Sequence, residues 1–132
     1  MNREIWEFLA KGTHPVIRQW LADEGISSRE RAKLDVSLER LRTLDFALVS
    51  TRLLAGPLRG TKVYKLRLRC ENRELRPMLC RGPVGAPHDY TLLQGAIETG
   101  THQVKPPDAQ DRAERNRKAL VENPRWRELY GK

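Results

Sequence analysis

Hydrophobic positions in the first half of the chain recur at helical spacing, and from about residue 62 onward they recur at strand spacing. Residues 3–10 fit either period, and the Lys11-Gly12 that follows favours a strand. Thr13 reads as a helix N-cap, Pro15 sits in the first turn, and Val16, Ile17, Trp20 and Leu21 form one apolar face that Gly25 ends. Ser27-Ser28-Arg29-Glu30 has the pattern of a capping box, in which the Ser oxygen and the Glu carboxylate each satisfy a free amide. Leu34, Leu38, Leu41 and Leu44 then repeat at helical spacing, which predicts a second, longer helix to about Asp45. Both stripes are core faces.

Gly56-Pro57-Leu58-Arg59-Gly60 interrupts the pattern, and strands follow. Tyr64, Leu66, Leu68 and Cys70 alternate with Val63, Lys65, Arg67 and Arg69, residues 71–74 supply a turn, and residues 75–81 return. A loop of two or four residues centred on Asn72-Arg73 places Cys70 opposite Leu75 and Arg69 opposite Arg76. In that register Leu66, Leu68, Cys70, Leu75 and Leu79 face the core, while Lys65, Arg67, Arg69 and Arg76 share the other side with Met78 and Cys80. The two cysteines then point to opposite faces and do not bridge. Residues 82–87 read as a loop, residues 90–97 as a buried third strand, and residues 98–104 as loop again. Pro106-Pro107-Asp108 opens a third helix, docked by Ala109, Ala113 and Leu120, and Asn123-Pro124 stops it.

The expected fold is therefore α+β, a small twisted and mainly antiparallel sheet with helices packed on one face and a basic concave face on the other. Residues 1–132 make one domain, with a core from about residue 3 to 122 and a C-terminal tail over 123–132. Glu4 and Glu7 interrupt the N-terminus as a signal peptide, and no apolar run reaches the roughly 18 residues a membrane helix needs, so a cytoplasmic address and no membrane partner are expected. Two cysteines are too few for a disulfide framework or a zinc site, and neither a metal nor a cofactor is expected.

Charge changes the picture more than composition does. The net charge is +8, and residues 51–82 alone hold nine basic residues against Glu71 and Glu74. Residues 1–50 are neutral, with eight charges of each sign. The excess is thus an electrostatic footprint on the hairpin. Packing Lys65, Arg67, Arg69 and Arg76 together costs self-repulsion that a polyphosphate relieves, and Arg forks grip phosphate oxygens in pairs. RNA or DNA is the natural ligand of such a face; the plainer reading is a solvated strand face. His14 lies at a helix start and reads as structural, whereas His88 and His102 flank the third strand as candidate acids or bases.

Residues 58–69 (LRGTKVYKLRLR), 76–79 and 90–113 (YTLLQGAIETGTHQVKPPDAQDRA) resemble the RelE/HigB-like toxins, specifically the phage-derived gp-type branch. The resemblance runs loosely over residues 12–120 and implies a strand, two helices, an antiparallel meander and a C-terminal helix. It implies the toxin of a toxin–antitoxin pair, an endoribonuclease that cleaves messenger RNA on the ribosome by metal-independent attack of a ribose 2′-hydroxyl. Arg67 and Arg76 would then hold the phosphate and stabilise the developing charge, with His102 a nearby proton-transfer candidate, and Lys62, Lys65, Arg69, Lys105 and Arg112 as RNA-binding cations. A helix-turn-helix antitoxin is the implied protein partner. Ala96-Ile97-Glu98-Thr99 stands where the family has Phe-x-Lys-Lys, so two lysines of the pattern are missing. A non-catalytic nucleic-acid-binding or phage accessory protein on the same fold is the alternative.

Overall fold

A computed structural model describes residues 3–86, 88–101 and 103–131. Strand β1 (Ile5–Ala10) opens the chain and turns tightly at Lys11 and Gly12, both at positive φ, into the short strand β2 (His14–Pro15). Helix α1 (Val16–Asp23) therefore starts three residues after Thr13, with Pro15 at its N-cap and no side-chain cap there. The missing acceptor comes from β1 instead, where Glu7 Oε1 takes the Arg18 amide at 2.7 Å in the first turn of the helix. Burial pushes the Glu7 carboxyl above its ordinary range, and the Arg18 amide and guanidinium pull the other way. Helix α2 (Ser28–Thr43) carries the expected capping box, Glu30 N donating to Ser27 Oγ at 3.1 Å and Ser27 N donating to Glu30 Oε1 at 2.9 Å.

After a short 3-10 turn at Phe46–Leu48 come β3 (Leu54–Ala55), β4 (Tyr64–Leu66), β5 (Leu68–Arg69), β6 (Glu74–Leu75), β7 (Met78–Arg81), β8 (Tyr90–Gln94), β9 (Ile97–Gly100) and β10 (Gln103–Lys105). Helix α3 (Ala109–Glu122) and β11 (Arg127–Leu129) complete the fold. The segment expected as a C-terminal tail thus includes an edge strand on β1, pairing Trp6 with Leu129 and Phe8 with Arg127.

Seven strands form one sheet in the order β11-β1-β8-β7-β4-β3 with β2 on β1, and four form another in the order β10-β9-β6-β5. Only β1 and β8 run parallel; the other described pairs are antiparallel. Three stretches of chain pass through both sheets, and each breaks where it crosses: at Arg67, at Arg76-Pro77 and at Gly95-Ala96. Pro77 has no amide to give the ladder, and its carbonyl accepts Leu66 N at 2.8 Å. Gly95 has no Cβ because one would lie 1.9 Å from the Trp20 ring.

The hairpin register differs from the expected one by two residues. Leu68 pairs with Leu75 and Arg69 with Glu74, around a two-residue turn at Glu71-Asn72 that Cys70 N closes on Arg73 O at 3.0 Å. Arg73, expected inside the turn, is drawn to α2, where its Nε and Nη2 donate to the two Glu30 oxygens at 2.8 Å each. Because side chains alternate with period two, a shift of two leaves every residue on its expected face.

What covers those faces departs from expectation. One core joins Ile17, Trp20, Leu34, Leu38 and Leu41 of α1 and α2 to Leu66, Leu68, Leu75, Leu79 and Leu92. A second core, on the other side, joins Ala109, Ala113 and Leu120 of α3 to Phe8, Met78, Cys80, Leu93 and Ala96. The adjacent Leu92 and Leu93 belong to opposite cores and are both 0% exposed. Helices therefore pack on both faces, not on one, because Met78, Cys80 and Leu93 make the second face apolar enough to need a cover. Each fully buried leucine contributes roughly 1.5–3 kcal/mol relative to exposure. The expected loop over 98–104 is instead largely the β9–β10 hairpin, whose polar Glu98, Thr99 and Gln103 obscure the strand pattern.

Candidate functional site

The breaks between the two sheets bring one set of charged side chains together. β4 presents Lys65, the break after it presents Arg67, β6 presents Glu74, and the break after β6 presents Arg76. β9 pairs with β6 through Leu75 and Ile97, so Glu98 arrives beside them. A groove of about 650 Å3 results, lined by Lys65, Arg67, Arg73, Glu74, Glu98 and Thr101 among others.

Arg76 is not solvent-facing. It is 4% exposed, and its Nη2 donates to Glu74 Oε2 at 2.7 Å and to Glu98 Oε2 at 2.8 Å, while Nη1 donates to the Leu75 carbonyl at 3.1 Å. Its Nε is buried without a partner among the described residues. Two carboxylates on one guanidinium make Arg76 a holder of Glu74 and Glu98, with little left to offer a ligand. Arg67 is the opposite case: it is exposed and forms no ion pair among the described residues.

Lys65 lies between these two extremes. Partial burial lowers its pKa first, the Arg76 and Arg67 charges lower it further, and Glu98 opposes them. A lysine held this way gives up its proton more readily than a free one. On the other side of the cluster, Glu74 accepts hydrogen bonds from Arg69 Nε at 3.2 Å and from Arg76 Nη2 at 2.7 Å. Chemically, the groove offers a forked cation for a phosphate, an ammonium of lowered pKa and a carboxylate that can accept a proton.

The other candidate residues are dispersed. Arg69 is 87% exposed and touches Glu74 at 3.2 Å. Lys105 on β10 faces Glu24 at 3.5 Å. Lys62 and Arg112 lie on the α3 side, where the Lys62 amide donates to Glu114 and Arg112 pairs with Asp108 at 2.9 Å. His102 lies outside the described residues. The Cys80 thiol, buried under α3, is pushed up to about 12 by burial and is inert as a nucleophile. Among the described residues no group of three or more His, Cys, Asp or Glu side chains is placed to hold a metal ion, and no helix is long and apolar enough to cross a membrane.

Sequence reasoning missed Glu74 and Glu98 as site residues. It treated Glu74 as part of the turn, but Glu74 is a paired strand residue whose side chain reaches back to Arg76. For Glu98 the signal was its place directly after Ile97, which continues the strand alternation past the point where the apolar run stops.

No protein-family model, curated protein or solved structure matches the chain.

Proposed function

We propose that the protein is an RNA-directed endoribonuclease of the toxin kind that acts on messenger RNA at the ribosome, in the cytoplasm, through the Lys65–Arg67–Glu98 groove. The observation that carries this reading is the meeting of an Arg67 free of ion pairs among the described residues, a Lys65 of lowered pKa and the Glu98 carboxylate in one open groove. The order of elements, a strand, two helices, an antiparallel meander and a further helix, supports a RelE/HigB-like fold and with it a helix-turn-helix antitoxin as partner.

In the proposed reaction Arg67 binds the scissile phosphate with paired hydrogen bonds, and charge building on the phosphorane is met by Arg67 and Lys65. The ribose 2′-oxygen forms a bond to phosphorus and passes its proton to Glu98. The bond from phosphorus to the 5′-oxygen breaks, and that oxygen takes a proton from Lys65. The products are a 2′,3′-cyclic phosphate and a 5′-hydroxyl. Arg76 holds Glu98 in place and does not touch the phosphate.

Cleavage of a translated messenger RNA by the purified chain, mapped by end chemistry, tests this. Cuts that leave 2′,3′-cyclic ends, vanish with a 2′-deoxy nucleotide at the cut and fall about 100-fold or more in Lys65→Ala are the expected result. Because both carboxylates are tied to Arg76, a binding module without cleavage is the second reading. Salt-dependent RNA binding with no cuts, weakened by Arg67→Ala, would establish it in place of the first.

A further inference from the structure

At the end of the seven-stranded sheet away from the breaks at Arg76-Pro77 and Gly95-Ala96, Tyr90 of β8 pairs with Arg81 of β7 on one side and with Ile5 of β1 on the other. Paired residues share a face, so all three point towards α2. Arg3, just before Ile5, reaches the same side, where its amide donates to the Arg42 carbonyl at 3.0 Å and its Nη2 to Asp45 Oδ1 at 2.6 Å. Tyr90 is 1% exposed, and its buried hydroxyl has no hydrogen-bond partner among the described residues. Buried hydroxyls are nearly always paired, so this one points to an acceptor from outside the chain. Burial raises its pKa, and the charges of Arg81 and then Arg3 oppose that. It is therefore a protonated donor flanked by two guanidiniums.

Both guanidiniums are covered by partners that a ligand can displace. Asp45, which holds Arg3, has a side chain 76% exposed, and an ion pair that open to water is weak. Arg81 lies over the Phe46 ring, 3.9 Å from its centroid, and forms no ion pair among the described residues. Asp45 is the N-cap of the 3-10 turn Phe46–Leu48, in which no residue is buried and Leu48 is 70% exposed. A segment with so little burial opens at small cost. The Asp45 carboxylate thus stands on Arg3 as an oxyanion would, while the Tyr90 donor beside it goes unused.

We infer that Arg3, Arg81 and Tyr90 form a binding site for a phosphate dianion, free or at the end of a small phosphomonoester, which Asp45 and Phe46 cover until the ligand displaces them. Two forked cations and a hydroxyl converge from neighbouring stretches of chain, which suits an anion with two charges and at least three acceptor oxygens. A carboxylate has only one charge and two oxygens. The site does not use the Lys65 groove and does not rest on the RNA reading.

The test titrates the whole chain with inorganic phosphate at constant ionic strength and locates binding by backbone amide shifts. Shifts should gather at residues 45–48, 81 and 90. Tyr90→Phe removes only the hydroxyl, so it should unfold at the parent's denaturant midpoint or above it, yet bind phosphate about tenfold more weakly. Arg81→Gln should weaken phosphate by about tenfold as well, and Asp45→Asn, which frees Arg3 of its internal competitor, should tighten it about threefold. Arg67→Ala, in the other groove, should leave affinity at this site within about twofold. Ribose 5-phosphate separates the two sources. Affinity equal to that of inorganic phosphate supports a terminal phosphate as the ligand, and a tenfold deficit supports the free ion. Shifts confined to the Lys65 groove, or phosphate affinity indifferent to Tyr90→Phe, would overturn the site. So would a Tyr90→Phe variant less stable than the parent, since the hydroxyl would then already have its partner, or an Asp45→Asn variant that binds no more tightly.

Discussion

At the β4–β7 end of the hairpin, Met78 and Cys80 share a face with Lys65, and they are 2% and 0% exposed because α3 lies over them. At the β5–β6 end the same face carries Arg67 and Arg69, no residue of α3 shares a core with it, and Arg69 stays 87% exposed. The alternation of the two strands is the same at both ends. What differs is the cover. Period two decides which side of a strand a residue takes, whereas burial depends on whether a distant element finds enough apolar surface there to dock on. Met78, Cys80 and Leu93 supply that surface at one end, and a row of cations refuses it at the other. The open end is therefore where ligand chemistry can occur.

Arg76 breaks this division, since it sits at the open end and is buried. Arg76→Ala should have the largest effect on stability, a loss of about 3 kcal/mol in denaturant unfolding, because Glu74 and Glu98 would face one another without their shared cation. Arg67→Ala, at an exposed side chain with no ion pair among the described residues, should change stability by less than about 0.5 kcal/mol. Equal losses in the two variants would remove the distinction between a holding arginine and a free one.

Gly95 lies at the joint where β8 gives way to β9. A methyl group at Gly95 would meet the ring of Trp20, a residue of α1, at 1.9 Å, so Gly95→Ala should cost about 2 kcal/mol as the ring is pushed off its place against the sheet. Thermal unfolding gives the size, and Trp20 fluorescence should change with it. A variant as stable as the parent would mean that the joint is looser than the packing implies.

Much of this was readable in the residues, for physical reasons that also mark the limits. Ser27 and Glu30 announce the start of α2 because a capping box is local, made entirely within one turn. The faces of the hairpin were legible because a register slip of two preserves them. Thr13 misled because the actual acceptor for the first turn of α1, Glu7, comes from a neighbouring strand, and no local pattern reports that. The same holds for the site. Lys65, Arg67 and Arg76 stand out as a charge cluster, but the carboxylate that decides their roles arrives from β9, 22 residues beyond Arg76. Likewise α3 showed its docking residues Ala109, Ala113 and Leu120 without showing which face of the sheet they would meet.

The Arg73–Glu30 pair ties the closed hairpin turn to the start of α2 and should show in acid. Hydrogen bonds from Arg73, first, and from Ser27 hold the Glu30 carboxyl down at about 2 against an ordinary value of 4.5. A folded-state pKa below the unfolded one stabilises the fold above pH 4.5, and that contribution is lost as pH falls towards 2. Glu30 is partly solvated, so the contribution at neutral pH is about 1–2 kcal/mol. Arg73→Met should be less stable than the parent by that amount at pH 7, and the gap should shrink as the pH drops through this window. A gap that stays constant down to pH 2 would assign the loss to packing.

The smallest effects concern affinity and compare the Lys65–Arg67 groove with the α3 side directly. Each cation that neutralises a phosphate releases a counterion, so its removal lowers the slope of binding against salt by about one. Lys65→Ala and Arg67→Ala should each weaken a single-stranded RNA about tenfold and each flatten that slope by about one. Arg112→Ala removes a cation of the same sign from α3, where Asp108 already pairs with it at 2.9 Å, and should leave both affinity and slope unchanged. Net charge falls equally in all three variants, so a general attraction of the basic surface for RNA would shift them together. Only a located site separates Arg112 from Lys65 and Arg67, and the salt titration reads that separation without requiring cleavage.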